Sequence, residues 1–230
     1  MFLQRRRRFF ESAAHTVSGG ASGSVTLAYT DYRHQSPGSF TDITETNVAI
    51  GAAASDRIVM LISQSFVGGG STLAPTINGT NMTLISSDGT TPKGCSSWYL
   101  SVPTGTTCTL VGHQCFESRF HIFTVTGQNG GASGTPDASS FQLDHAADGD
   151  YSKAITLPTN GKMVLGVYAA VGGGNAHVWT NATKYTDLGT EQANNVSAAH
   201  METSATITIH DPDDGFRFNN GQLFGICWAP

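Results

Sequence analysis

The sequence predicts an all-β fold, an antiparallel β-sandwich of jelly-roll-like architecture with an extended N-terminal arm, and three observations carry that prediction. Short segments rich in Thr, Val, Ile and Gly recur from residue 25 almost to residue 230. Turn signals separate them at roughly 8–12 residues, the spacing of sandwiches and barrels and not of parallel α/β folds. Helix-forming stretches are nearly missing between them; only residues 191–201 read as a helical turn or two, with a thin apolar face.

The elements follow in chain order. Residues 1–24 form a basic, aromatic arm and linker. Arg5, Arg6, Arg7 and Arg8 stand between Phe2-Leu3 and Phe9-Phe10, and a Gly/Ser stretch over 18–24 reads as a flexible connection. Rings and guanidiniums together suit docking on a partner surface, with the arginines meeting carboxylates or phosphates. The arm has no apolar run of the length of a signal-peptide core, and no segment is long enough for a membrane-spanning helix, so no membrane insertion is expected. Residues 25–230 read as one sandwich domain. Val25, Leu27 and Tyr29 alternate with Thr26, Ala28 and Thr30, the period of a strand with one buried face. Residues 56–64 (DRIVMLISQ) are almost continuously apolar, as a central strand covered on both faces must be.

Beyond Gly68, Gly69 and Gly70, residues 75–85 (PTINGTNMTLI) centre on Asn78-Gly79, the strongest hairpin signal in the chain. Residues 96–102 (SSWYLSV) form a strand that turns through Pro103-Thr104-Gly105-Thr106 into a strand over 107–112, and another spans 119–126 (RFHIFTVT). Residues 127–140 read as loop. Strands resume at 153–157 and 162–170. After Gly172, Gly173 and Gly174, residues 177–185 (HVWTNATKY) read as a strand pair or a strand and turn, and strands at 203–210 and 222–228 complete the pattern. The glycine-rich segments 67–71, 128–134 and 172–175 carry too few apolar side chains to bury much surface and are expected at the ends of the sandwich or against partners.

Composition narrows the function classes. In 230 residues only 13% are charged, against roughly 25% in ordinary soluble domains. A surface of Thr, Ser and Asn suits a protein living in an assembly. The net charge of −5 gives no general attraction to nucleic acid. Cys95, Cys108, Cys115 and Cys227 lack the paired spacing of a structural zinc site, although Cys108, His113 and Cys115, with Cys95 as a fourth, are the residues to weigh for one; buried free thiols are the expectation. Asp144, Asp148 and Asp150, and Asp211, Asp213 and Asp214, fit turn formation better than a calcium loop. Glu117, Arg119 and His121 share one strand face and are expected to make a polar solvent face with a local charge pair. No nucleophile elbow, phosphate loop or His-Glu-x-x-His motif occurs, so no catalytic residues, metal or cofactor are assigned.

Trp98, Tyr99, Trp179, Tyr185 and Trp228 are the rings that could face a sugar; core packing or subunit contact competes for each, and Tyr99, Trp179 and Tyr185 are the candidates for surface or glycan contact. Trp98 and Tyr99 must point to opposite faces of their strand. The Asn-x-Ser/Thr triplets at Asn78, Asn81, Asn181 and Asn195 arise by chance in so Asn/Thr-rich a chain.

The succession IGAAASDRIVMLIS (50–63), PTINGTNMTLIS (75–86), SSWYLSVPTGTTCTLV (96–111) and RFHIFTVTG (119–127) resembles a β-sandwich module of virion proteins in tailed phages and prophages, notably of alphaproteobacteria, and in the related gene transfer agents. That pattern has a glycine pair in the hairpin, where this chain has Asn78-Gly79. The resemblance spans about residues 25–228 and rests on turns rather than chemistry. It implies a non-enzymatic structural protein of the tail tip, baseplate or fibre, with other virion proteins as partners, a homo-oligomer of trimeric type, and loops presented to a host surface glycan. A capsid decoration or head-spike protein is the runner-up, and a carbohydrate-binding or carbohydrate-active domain the alternative from another class.

Overall fold

A computed structural model describes residues 24–67, 73–87, 93–128, 136–137, 140–145, 151–170, 178–188, 194–210 and 221–230. The arm, with Phe2, Leu3, Arg5, Arg6, Arg7, Arg8, Phe9 and Phe10, lies outside the described residues, as do nearly all of the three glycine-rich segments. Among the described residues every regular element is a strand, and every pairing is antiparallel. The all-β sandwich expected from the sequence is what the chain forms.

The first half builds one eight-stranded sheet from β1 (Thr26–Gln35), β2 (Thr41–Ala49), β3 (Ile58–Val67), β4 (Thr76–Ile77), β5 (Thr80–Asn81), β6 (Thr83–Ser87), β7 (Lys93–Ser101) and β8 (Thr107–Thr126). Asn78 and Gly79 take φ of 50° and 79°, the left-handed pair that a two-residue hairpin between β4 and β5 demands. Strand β8 organises the sheet. Its first part pairs with β2 and β4, and its second part with β1 and β3. The sequence reads two strands here; the structure has one of 20 residues. Gln114 takes a φ of 51°, and the registers with β2 and β3 both slip near Cys115, so β8 bends sharply without ending. A Cβ on Gly112 would stand 2.7 Å from Cζ of Phe120, eight positions along the same strand, so the bend folds Phe120 onto a site only glycine leaves open. Asp42 pins the bend by accepting from the Gln114 N–H at 2.9 Å and pairing with His113 Nδ1 at 3.0 Å.

The second half builds two more sheets. The strands β9 (Phe141–His145), β11 (Lys162–Ala170), β13 (Thr183–Leu188), β14 (Asn194–Met201) and β16 (Gly221–Trp228) form one, in the order β13-β14-β11-β16-β9; β10 (Tyr151–Ile155), β12 (Val178–Thr180) and β15 (Ala205–His210) form the other, in the order β10-β15-β12. The helical turn expected over 191–201 is corrected, because residues 194–201 are a strand. Ala198 and Ala199 point to opposite faces there and are both fully buried, so the small apolar residues serve a strand with two covered faces.

Three clusters hold these sheets together. Ile58, Met60, Ile62, Phe123 and Val125 of the first sheet meet Val164, Phe224, Ile226 and Trp228 of the second. Met163, Leu165, Leu223 and Cys227 on the reverse of that second sheet meet Ile155, Ile207 and Ile209 of the third. The remaining cluster, with Val59, Leu61, Trp98, Leu110, Phe120 and Ile122, fills the concave face created where the first sheet folds over at β8. Strand β3 therefore sends alternate residues into two cores, which explains its uninterrupted apolar run.

Candidate functional site

Among the buried polar side chains of the described residues, two groups stand out. Arg57, one residue before β3, is 1% exposed. Its guanidinium donates to six backbone carbonyls, of Val102, Ile50, Gly51, Ala52, Thr104 and Gly105, at 2.7–3.0 Å. It thereby clasps the segment entering β3 to the turn between β7 and β8. Beside it, Asp56 accepts the Gly127 N–H at 2.6 Å, and its carbonyl accepts from the Gln128 amide at 2.8 Å. Desolvation draws the Arg57 pKa below its ordinary value, yet carbonyl oxygens on every side suit a guanidinium that keeps its charge.

The second group is a seam of rings between the first and second sheets. His121 on β8 is fully buried, and burial, helped by nearby Arg119, pushes its pKa down to about 3. The ring is neutral at physiological pH. The Tyr29 hydroxyl, itself held protonated by burial, lies within hydrogen-bond distance of Nδ1 at 3.2 Å. The His121 Nε2 has no hydrogen-bond partner among the described residues. Tyr29 stacks on Tyr185 of β13 (centroids 4.7 Å, planes 13° apart), and Tyr185 stacks on His200 of β14 (4.9 Å, 25°). Burial raises the Tyr185 hydroxyl to about 12 and lowers His200, so both rings are uncharged near neutrality. The expectation of a solvent face for Arg119 and His121 is corrected: they are 3% and 0% exposed, because that face of β8 also carries Phe123 and Val125 and is turned toward the second sheet. The Glu117 side chain lies outside the described residues.

At its outer end the seam opens on a cavity of about 490 Å³ lined by Asn181, Ala182, Thr183, His200, Met201, Glu202 and Thr203. Two crossings between the second and third sheets make it, the Asn181-Ala182 link from β12 to β13 and the turn from β14 to β15. Asn181 takes a φ of 61° at the first crossing and donates its amide to the Thr206 carbonyl at 2.8 Å. Glu202 accepts from Lys162 Nζ at 2.6 Å and lies 3.7 Å from His200 Nε2. The Lys162 ammonium keeps the Glu202 carboxyl below its ordinary pKa, so it is ionised at neutral pH. The cavity thus presents fixed hydrogen-bonding groups around a charge pair that sums to zero.

The residues singled out in the sequence are distributed differently. Tyr185 belongs to the seam. Tyr99 is half-buried against the core between the first two sheets, edge-on to Trp228 at 6.1 Å, while Trp98 points the opposite way and is buried. Trp179 is half-buried against the core of the third sheet. Packing therefore engages all three candidate contact rings, and none of them lines the cavity. Cys108, Cys115 and Cys227 are buried and outside any disulfide; burial raises Cys108 to about 11 and Cys227 to about 12. The Cys95 side chain lies outside the described residues. His113 is engaged by Asp42, and no group of three His, Cys, Asp or Glu able to hold a metal occurs among the described residues. Of the acidic turns, Asp148, Asp150, Asp211, Asp213 and Asp214 fall outside them. Sequence reasoning passed over Arg57, Glu202 and the role of Asn181; the only advance sign was the charged pair Asp56-Arg57 at the head of an apolar strand.

No protein-family model, curated protein or solved structure matches the chain.

Proposed function

We propose that the chain is a non-enzymatic structural component of a tailed-phage particle, at the tail tip, baseplate or fibre. In this reading residues 1–24 dock on neighbouring virion polypeptides, and the stacked sheets form the body. One observation carries it: the four segments that resemble the virion module, over 50–63, 75–86, 96–111 and 119–127, all fall within one continuous antiparallel sheet. Two of these segments are clasped together by Arg57, and the bend of β8 at Gln114 lies between the last two. The sheet edges support assembly with neighbours, because Leu84 on edge strand β6 and Val178 on edge strand β12 are 45% and 51% exposed.

The test is mass spectrometry of gradient-purified particles from cells carrying the gene, with full-length protein and a version lacking residues 1–24. Full-length protein should co-purify at a fixed ratio to the major structural proteins. The truncated version should fold and stay out of the particles. Full-length protein missing from the particles overturns the reading, and normal incorporation of the truncated version overturns the role of the arm.

A further inference from the structure

The cavity at the junction of the second and third sheets fits one ligand class. Its volume of about 490 Å³ lies within the roughly 300–1,000 Å³ of small-molecule sites. Both walls are crossings between the same two sheets, so the lining is carried by the paired strands that flank it and not by a long loop. The polar groups are already oriented. Asn181 is anchored through its amide nitrogen to Thr206, which leaves its side-chain oxygen as an acceptor. Glu202 is anchored through Oε1 to Lys162, which leaves Oε2 as a second acceptor. Thr183 and Thr203 add hydroxyls that both donate and accept.

Charge then removes the other classes. A cation needs more than one carboxylate, and the one present is neutralised by Lys162. An anion such as phosphate would meet the Glu202 carboxylate on the cavity wall. An apolar ligand would find only Ala182 and the largely buried Met201. A neutral ligand with several hydroxyls matches this lining of acceptors and hydroxyls. We propose that this cavity binds a neutral monosaccharide unit, with Glu202 and Asn181 accepting hydrogen bonds from adjacent hydroxyls and Thr183 and Thr203 completing the set. The site goes beyond the proposed particle role and stands on the cavity alone, so binding by the isolated protein and incorporation into particles succeed or fail separately.

The experiment uses the purified full-length chain with methyl glycosides of glucose, galactose and mannose and with N-acetylglucosamine, against sialic acid and inorganic phosphate, followed by saturation-transfer NMR and amide shifts. At least one neutral sugar should bind and shift the amides of residues 181–183 and 200–203. Glu202→Gln, which keeps the side-chain shape, should weaken it about ten- to hundredfold. Thr203→Val should weaken it by a smaller factor, and Asn181→Gly, which tolerates the left-handed backbone, provides an independent variant whose fold is checked by the same spectra. Saturation by none of the neutral sugars, tighter binding of sialic acid or phosphate, or sugar affinity unchanged in both Glu202→Gln and Thr203→Val overturns the proposal.

Discussion

Arg57 and His121 are both basic side chains withdrawn from water at the same sheet, 1% and 0% exposed, yet one stays cationic and the other neutral. Arg57 is surrounded by six carbonyl oxygens that satisfy its donors, so its burial is compensated and the cation persists. His121 receives one hydroxyl at Nδ1 and nothing at Nε2 among the described residues, so the cheaper outcome is to lose the proton. The difference lies in the surroundings. Arg57 sits where two connections meet and carbonyls are unpaired by the ladder; His121 sits mid-strand, where ladder bonds have already consumed them.

The largest break in that comparison comes from Arg57→Ala. It leaves the ring of carbonyls without donors and should cost about 3–5 kcal/mol in urea unfolding, with Arg57→Lys recovering part of it. A loss below about 1 kcal/mol for Arg57→Ala would mean that the turns hold themselves together.

His121 answers to pH. Its folded pKa of about 3 is below the ordinary 6.5, so the unfolded chain binds the extra proton first. Its contribution is fully present above pH 6.5 and is lost as pH falls from there toward 3. Between pH 7 and pH 4 that amounts to roughly 3 kcal/mol. His200 shifts in the same direction and adds to the same slope. The variant His121→Phe keeps the ring in the seam and removes one titration, so its unfolding midpoint should fall less steeply between pH 6.5 and pH 5 than that of the wild type. Parallel curves for the two proteins would show that His121 already takes up its proton in the folded state.

A smaller effect sharpens the same point. Tyr29→Phe keeps the stack on Tyr185 and removes the hydroxyl at Nδ1, so about 1 kcal/mol of stability at neutral pH should be lost in chemical denaturation. The smallest belongs to the partly exposed pair at the cavity. Lys162→Gln should move the unfolding free energy by less than about 1 kcal/mol, because Glu202 remains hydrated when its partner leaves. Loss of several times that in calorimetry would mark the pair as a structural anchor.

The legible parts of the fold were those that local pattern dictates. The alternation from Val25, the unbroken run of β3 and the Asn78-Gly79 turn each carry their conformation in neighbouring residues. Strand β2 was missed because TDITETNVA buries only Ile43, Glu45 and Val48 along its length, and the bulge at Asn47 breaks its period. The continuity of β8 through His113 to Ser118 was hidden by polar residues that normally mark a loop. Periodicity told that Arg119 and His121 share a face; which face lies inside depends on a sheet formed a hundred residues later, and no local signal carries that. The same holds for the cavity, where Asn181 and Glu202 meet only because two crossings happen to run side by side.

Strand β8 also sets a timetable. Strands β1 and β2 pair mainly with β8, and β4 and β3 each need it for one of their edges. During synthesis the segments 26–35 and 41–49 therefore leave the ribosome long before their partner exists, while β3, β7 and β6 can already form a ladder of their own. Such a nascent chain presents an open ladder edge and two unmatched strands until residue 126 has emerged, the interval in which strand exchange between neighbouring chains on one message competes with correct closure. Slowing translation shortly after β8 has cleared the exit tunnel should favour monomeric closure, and slowing it before β8 appears should favour entangled chains.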